Sequence, residues 1–235
     1  MNAAAGGASF VTFPALVFFG LPPLNANASS TVALLPGTLA SAWVYRADAE
    51  PFEGVPLTAM ILVSLVSGFA GALLLIYTPQ HSFDAIIPWL MLVATLAFAF
   101  GRQAGTHLRR VMRIGPTALL GSQFLLGIYG GYFGAAVGII MMAVWSFFGI
   151  SNIKALNASK TLLVGATNAI AVICFIAGHL VWWPQTCAML AGGVIGGYGG
   201  AHIARRIPAE PLRLGVTIFN VVMTVVFFAR AYRPA

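Results

Sequence analysis

The sequence predicts an all-α integral membrane protein of about seven hydrophobic helical segments, in two inverted repeats with glycine-broken half-helices. Three observations carry that reading. Of 235 residues, 60% are hydrophobic and only 7% are charged, whereas a soluble domain carries roughly a quarter charged residues. Too little charge is present to cover a water-facing surface, so lipid is the solvent for most of the chain. The apolar residues fall in runs close to the roughly 20 needed for a helix to span a bilayer. Polar residues inside those runs recur in the same order in both halves.

Apolar runs and their breaks divide the chain. The first run covers residues 3–20 and the second 28–45. Residues 46–53 form the most acidic connector, with Asp48, Glu50 and Glu53. Runs at 55–77 and 83–101 follow, then a basic connector at 102–115 with Arg102, Arg109, Arg110 and Arg113. The stretch 116–149 is too long for one ordinary span and is interrupted by Gly130, Gly131, Gly134 and Gly138. Further runs cover 155–178, 184–204 and 211–229. No room is left for a separate soluble domain. Residues 1–235 make one membrane domain, with repeat 1 over about 1–110 and repeat 2 over about 116–235.

The repeat is carried by matching polar positions. FFGLPPLNANASSTV at 18–32 aligns with FFGISNIKALNASKTL at 147–162, with one extra residue in the second copy. Each contains Phe-Phe-Gly, a short linker and Asn-Ala-Ser-x-Thr. Gly68-Phe-Ala-Gly71-Ala aligns likewise with Gly197-Tyr-Gly-Gly200-Ala. Agreement of one apolar run is common by chance; agreement of several polar positions is not. The second copy has about 18 apolar residues, 116–133, ahead of its Gly-rich turn, where the first has only residues 1–5. The first copy is therefore expected to lack most of its first helix.

Positive charge orients the halves. If each Gly-interrupted stretch dips into the membrane and returns, Arg46, Arg102, Arg109, Arg110, Arg113, Lys154, Arg205, Arg206 and Arg213 share the cytoplasmic side. Only Arg230 and Arg233 then lie outside. Full crossings spread these charges over both sides, so the dip agrees better with the positive-inside rule. A dip plus three crossings is an odd count, and the second half then enters the membrane inverted, as in many secondary transporters. A parallel repeat with full crossings is the competing arrangement. The same arginines, placed at the ends of apolar runs, account for the +7 net charge without a nucleic-acid partner.

Unpaired backbone groups in hydrocarbon cost several kcal/mol each, so a glycine-broken segment belongs inside protein or beside a wet cavity. Two such breaks are Gly6-Gly7-Ala8-Ser9-Phe10 and Gly130-Gly131-Tyr132-Phe133-Gly134. The N-terminus of a half-helix offers free amides and a positive dipole end. The breaks are read as an anion cradle around Gly6, Gly7, Ser9, Gly130 and Gly131. Tyr129 and Tyr132 flank the second break, either as oxyanion donors or as packing residues. Gly192, Gly193, Gly196, Gly197 and Gly200 are read as helix-packing positions.

Asn27, Ser29 and Thr31 in one half match Asn157, Ser159 and Thr161 in the other, each set where a spanning helix begins. N-capping accounts for one polar residue per start. A matched cluster also fits hydrogen bonding to a substrate, and the two roles are compatible. Lys160 lies more than a turn inside an apolar helix and aligns with Ser30. A lysine near the bilayer centre costs about 2.5–3.5 kcal/mol. Snorkelling to the interface relieves that cost, as does a cavity holding an anion; the cavity is the reading adopted. No Asp or Glu lies mid-span, where a cation pathway would need one. The expected substrate is a small anion, with no metal and no cofactor.

His81, His107, His179 and His202 lie in connectors or at span ends, and no nucleophile–base–acid set is recognisable, so no enzyme activity is expected. Cys174 and Cys187 form no CxxC pair and read as packing residues. A membrane redox or biogenesis factor using them is one alternative; a structural subunit of a membrane complex is another. Trp43, Trp89, Trp182 and Trp183 fall near expected membrane interfaces.

Three stretches resemble a known family: GGASFVTFPALVFFGLPPLNANASSTVALLPG, GIYGGYFGAAVGIIMMAVWSFFGISNIKALNASKTLL and GGVIGGYGGAHIARRIP. They are similar to the sulfite exporter TauE/SafE family, and the resemblance covers nearly the whole chain and both repeat units. It implies a multi-pass protein of the bacterial inner membrane that moves sulfite, an organosulfonate or a related sulfur-containing anion, largely outward. The Gly-rich stretches 6–10 and 130–134, with Pro14 after the first, are the positions the resemblance implicates. The chain departs from the family pattern in its shortened N-terminus. The expected partners are the small anion and the lipid bilayer, with homo-oligomerisation left open.

Overall fold

The computed structural model describes residues 8–51, 54–108, 115–146, 153–204 and 209–232. All secondary structure of any length is helical: α1 (Ser9–Phe18), α2 (Pro23–Tyr45), α3 (Leu57–Tyr77), α4 (Gln80–Leu108), α5 (Pro116–Tyr132), α6 (Val137–Ser146), α7 (Ile153–Ala177), α8 (Trp183–Ala204) and α9 (Ala209–Ala231). Among the described residues, four helical stretches are long and apolar enough to cross a membrane: Leu57–Tyr77, Gln80–Phe100, Ala155–Ala177 and Leu214–Ala231. The basic connector's Arg109, Arg110 and Arg113 lie outside the described residues.

Glycine and proline set the boundaries. Gly20 takes φ 89°, and its N–H reaches Val17 O while Leu21 N–H reaches Leu16 O, both at 3.1 Å. That is a Schellman closure, which needs a residue tolerant of the left-handed region. Pro22 and Pro23 then launch α2, where a missing N–H costs nothing. α7 closes the same way without a glycine: His179 at φ 55° bonds Ile176 O at 3.1 Å, and Leu180 N–H bonds Phe175 O at 3.0 Å.

The long stretch 116–149 splits, as its glycines predict, at the C-terminal end of the Gly130–Gly134 stretch. Gly130 and Gly131 are helical, inside α5. The break begins at Phe133 and turns through Gly134 at φ 75° and Ala136 at φ 58°. α1 has 10 residues, so it is about 15 Å long, half the hydrocarbon thickness. α6 is described over 10 residues, Val137–Ser146, after the break.

What Gly131 does instead is pack. A Cβ on it would stand 2.2 Å from Gly68 O, and one on Gly71 would stand 2.2 Å from Ile128 O. Only glycine at these positions lets α3 and α5 touch backbone to backbone. Gln123 Nε2 donates to Ser64 Oγ at 2.8 Å along the same seam. Gly192 and Gly193 behave in the opposite way. Nothing lies within 4 Å of where their Cβ atoms would be, because that face of α8 is exposed. The packing expected for them is not made within this chain. The side-chain surroundings of Gly196, Gly197 and Gly200 lie outside the described residues.

Two pairs of long helices run antiparallel, packed against each other. Ser29, early in α2, accepts from the Trp182 N–H beyond the end of α7 at 3.0 Å. Ser159, early in α7, donates to Glu50 O beyond the end of α2 at 3.2 Å. In the second pair, Trp89 Nε1 near the start of α4 donates to Tyr232 Oη past the end of α9 at 3.0 Å. Thr95 and Thr224 meet at 3.1 Å between their hydroxyls.

The short helix α1 is held from three sides. Phe10 stands edge-on to Phe98 of α4 at 5.8 Å. Phe13 does the same to Phe133 at 5.6 Å and stacks on Phe227 of α9 at 5.4 Å. Each such pair adds about 0.5–1.5 kcal/mol beyond the area it buries. These contacts fix where the first turn of α1 points.

Candidate functional site

A pocket lies between α2 and α7. Thr31, Leu34, Thr38 and Ser41 line it from α2, and Lys160, Thr161, Val164 and Asn168 from α7. Ser9 of α1 closes it on one side and Gly134, Val137 and Gly138 on another. Its water-accessible volume is about 40 Å³, room for about three waters and hence for a small anion.

Local sequence explains why these groups converge. On α2 the lining positions recur at i, i+3, i+7 and i+10; on α7 they recur at i, i+1, i+4 and i+8. Both are single helical faces. Ser9 is the first residue of α1, and Val137 and Gly138 are the first two of α6. The first turn of a helix carries amides with no intrahelical acceptor and the positive end of the dipole. The N-terminal turns of two short helices therefore border the same pocket.

Lys160 supplies the formal charge. Only 4% of it is exposed, so its ammonium has not escaped along the helix to an interface. Nζ donates to Asn157 Oδ1 at 2.7 Å, which leaves further donors on the ammonium. Its stem runs over Gly138: a Cβ there would stand 3.0 Å from Lys160 Cδ and 3.3 Å from Cγ. The matching position in the first half, Ser30, is neutral, buried and bonded to Thr12 of α1 at 2.6 Å. The charge is thus supplied from one half only.

Of the residues picked from sequence, Ser9 and Lys160 line the pocket. Gly6 and Gly7 lie outside the described residues. The others surround the site without lining it. Asn27 Nδ2 donates to Tyr132 O at 3.0 Å, tying α2 to the end of α5. Asn157 anchors Lys160. Ser29 and Ser159 are fully buried and hold the connectors described above. Tyr129 Oη donates to Ala135 O at 2.8 Å and so braces the α5–α6 turn. Tyr132 packs edge-on to Phe83 at 5.7 Å, and its hydroxyl donates to Thr78 Oγ1 at 3.4 Å. Gly130 and Gly131 pack against α7 and α3. The glycines that line the pocket are Gly134 and Gly138, nearer α6, because the helix continues through Gly131.

Sequence reasoning also missed Thr38, Ser41 and Asn168 as lining residues. The available signal was a polar stripe at helical spacing beyond the Asn-Ala-Ser-x-Thr cluster. Thr31 and Thr161, Leu34 and Val164, and Thr38 and Asn168 are each 130 residues apart. The pocket thus draws matched positions from both halves. Cys174 is buried in α7 and Cys187 exposed on α8, both as free thiols.

Known proteins resemble this chain along its length. It is 28% identical over 226 residues to "Probable membrane transporter protein YfcA" of Escherichia coli K12, covering 95% of this chain and 83% of that one. It is 30% identical over 229 residues to a "Probable membrane transporter protein" of Haemophilus influenzae, covering 95% and 88%. A Sinorhizobium relative, "Probable membrane transporter protein ORF9", is 26% identical over 238 residues, covering 100% and 89%. No solved structure matches the chain. Bacterial relatives of this kind and the apolar helices of the fold mark a multi-pass inner-membrane protein. A model of the family described as "Sulfite exporter TauE/SafE" matches residues 1–227, and the chain belongs to that family of membrane transporters.

Proposed function

We propose that this transporter moves a small anion, of the sulfite or organosulfonate kind, and that the pocket between α2 and α7 is where the anion binds. The observation that carries the proposal is the convergence of one buried ammonium, Lys160, with the first turns of two short helices around one small cavity. Each of these sources contributes positive potential, and no carboxylate lines the cavity to oppose it. Two unit charges 4 Å apart attract by about 4 kcal/mol at an effective dielectric of 20. Such an attraction offsets the cost of keeping a lysine inside the membrane. The anionic class comes from this geometry; sulfur chemistry comes from the family description.

The mechanism we propose is alternating access between two halves related by inversion. The antiparallel α2–α7 and α4–α9 pairs support it, because equivalent helices of parallel repeats would run the same way. The reciprocal Ser29–Trp182 and Ser159–Glu50 contacts support it too, since each half clasps the other half's connector. The pocket lies between α2 and α7, where rocking one half against the other exposes it to each side in turn.

The test is transport in proteoliposomes. Lys160→Met keeps the length and apolar stem of the side chain and removes the charge. Sulfite or sulfonate flux is expected to fall at least tenfold, with the folded fraction unchanged by size-exclusion chromatography. Flux at the unaltered rate would remove Lys160 from the site.

A further inference from the structure

Lys160 decides the sign of the pocket, but the hydroxyls around it decide what else a ligand must carry. Thr31 Oγ1 donates to Asn27 O at 2.9 Å, and Thr161 Oγ1 donates to Asn157 O at 2.7 Å. Ser41 Oγ donates to Gly37 O at 2.8 Å in the same way. In each case the single hydroxyl proton is spent on the carbonyl one turn back, the usual habit of Ser and Thr inside helices. What remains for the pocket is the oxygen, with lone pairs only. Asn168 adds to this: its Oδ1 is buried without a hydrogen-bond partner, on the same wall as Thr161. Donors come from Lys160, Ser9, the Asn168 Nδ2 group and the helix amides; the remaining polar atoms of the pocket are acceptors.

A bare oxyanion carries acceptors alone and would face those oxygens without a proton between them. Resting on the anion-permease reading above, we infer that the pocket is built for a monoanion that carries its own hydrogen-bond donor, a hydroxyl or a protonated oxygen. The anionic end lies toward Lys160 and the N-termini of α1 and α6, and the donor toward the threonine oxygens of α2 and α7. A site that hydrogen-bonds a ligand hydroxyl discriminates against the analogue without it, because its own buried polar groups are then left unpaired.

Two stable sulfonates of equal charge and similar size separate these ideas: 2-hydroxyethanesulfonate and 1-propanesulfonate. Both are titrated against the purified full-length chain, with binding read from thermal stabilisation. The hydroxylated ligand is expected to bind about tenfold more tightly. Thr161→Val and Thr31→Val, each replacing a hydroxyl by a methyl, should shrink that gap to about threefold or less. Folding of each variant is read separately, from its melting curve without ligand. Equal affinity for the two ligands overturns the inference and leaves the anion permease standing. A full gap persisting in both variants overturns it too, since the donor is then recognised elsewhere. If neither ligand binds the folded wild-type chain, nor does sulfite, the permease reading itself fails and the inference falls with it.

Discussion

Lys160 and Gly138 illustrate how little separates a functional charge from a structural liability. The lysine stem lies across Gly138 at contacts a Cβ would shorten to 3.0 Å. Gly138→Ala should therefore push the ammonium away from Asn157 and the pocket, because the stem is the movable partner. Alanine is also the better helix former, by roughly 0.5–1 kcal/mol. The expected outcome is divided: thermal stability unchanged or raised by up to about 1 kcal/mol, and anion affinity lowered several-fold. A binding titration and a melting curve on the same sample check it. Equal affinity in the variant would mean that the stem does not aim the charge. Asn157 and Ser159, just ahead of Lys160, turn out to be braces. Ser159 is spent on Glu50 O and Asn157 on the ammonium itself. The Asn157 partner is its i+3 neighbour on the same helix, within reach of a sequence reading; the Ser159 partner was not legible, because it comes from a connector 109 residues away.

At the scale of helices, glycine has two opposite uses in this protein. Between α3 and α5 it permits contact, and a side chain at Gly131 would meet the Gly68 carbonyl, which cannot move without deforming a helix. Gly131→Ala should cost about 1–3 kcal/mol or more, as overpacking generally does, and lower the unfolding temperature. Gly193→Ala meets open space and should leave stability within about 0.5 kcal/mol. A melting comparison of the two variants decides the matter. If both melt alike, the α3–α5 seam is not what holds these helices. The sequence reading placed a functional break over Gly130–Gly134 and packing at Gly192–Gly193; the chain turns at Gly134, while Gly131 packs. A run of small residues specifies only that something can approach closely. Whether that something is a substrate, a helix or lipid depends on what the rest of the chain places there.

For the molecule as a whole, the contacts of α2 with α7 and α4 with α9 are where any rocking of the halves must be accommodated. Thr95 and Thr224 meet there at 3.1 Å and lie 129 residues apart, close to the spacing of the matched pocket residues. Thr95→Cys with Thr224→Cys, in a Cys174→Ser, Cys187→Ser background, places two thiols in contact. Mild oxidation is expected to join α4 to α9, arrest transport in proteoliposomes, and release it again on reduction. Unimpaired transport by fully cross-linked protein would mean that α4 and α9 stay together through the cycle, and the proposed rocking would need a different boundary.

The sequence by itself determined the solvent, the helical class and the placement of a lysine inside an apolar helix. Composition and run length leave a chain with 7% charged residues no other way to satisfy its backbone. The α5–α6 break falls at the end of the Gly130–Gly134 stretch read from sequence, and Gly130 and Gly131 stay helical, since a glycine pair tolerates a turn without requiring one. Only the tertiary structure decided which polar atoms face the cavity. On α2 and α7, Asn27, Ser29, Asn157 and Ser159 bond inward to other chain segments or to Lys160, while Thr38, Ser41 and Asn168 line the pocket. A side chain's partner is set by where two distant helices cross, and residue type within one helix does not encode that crossing.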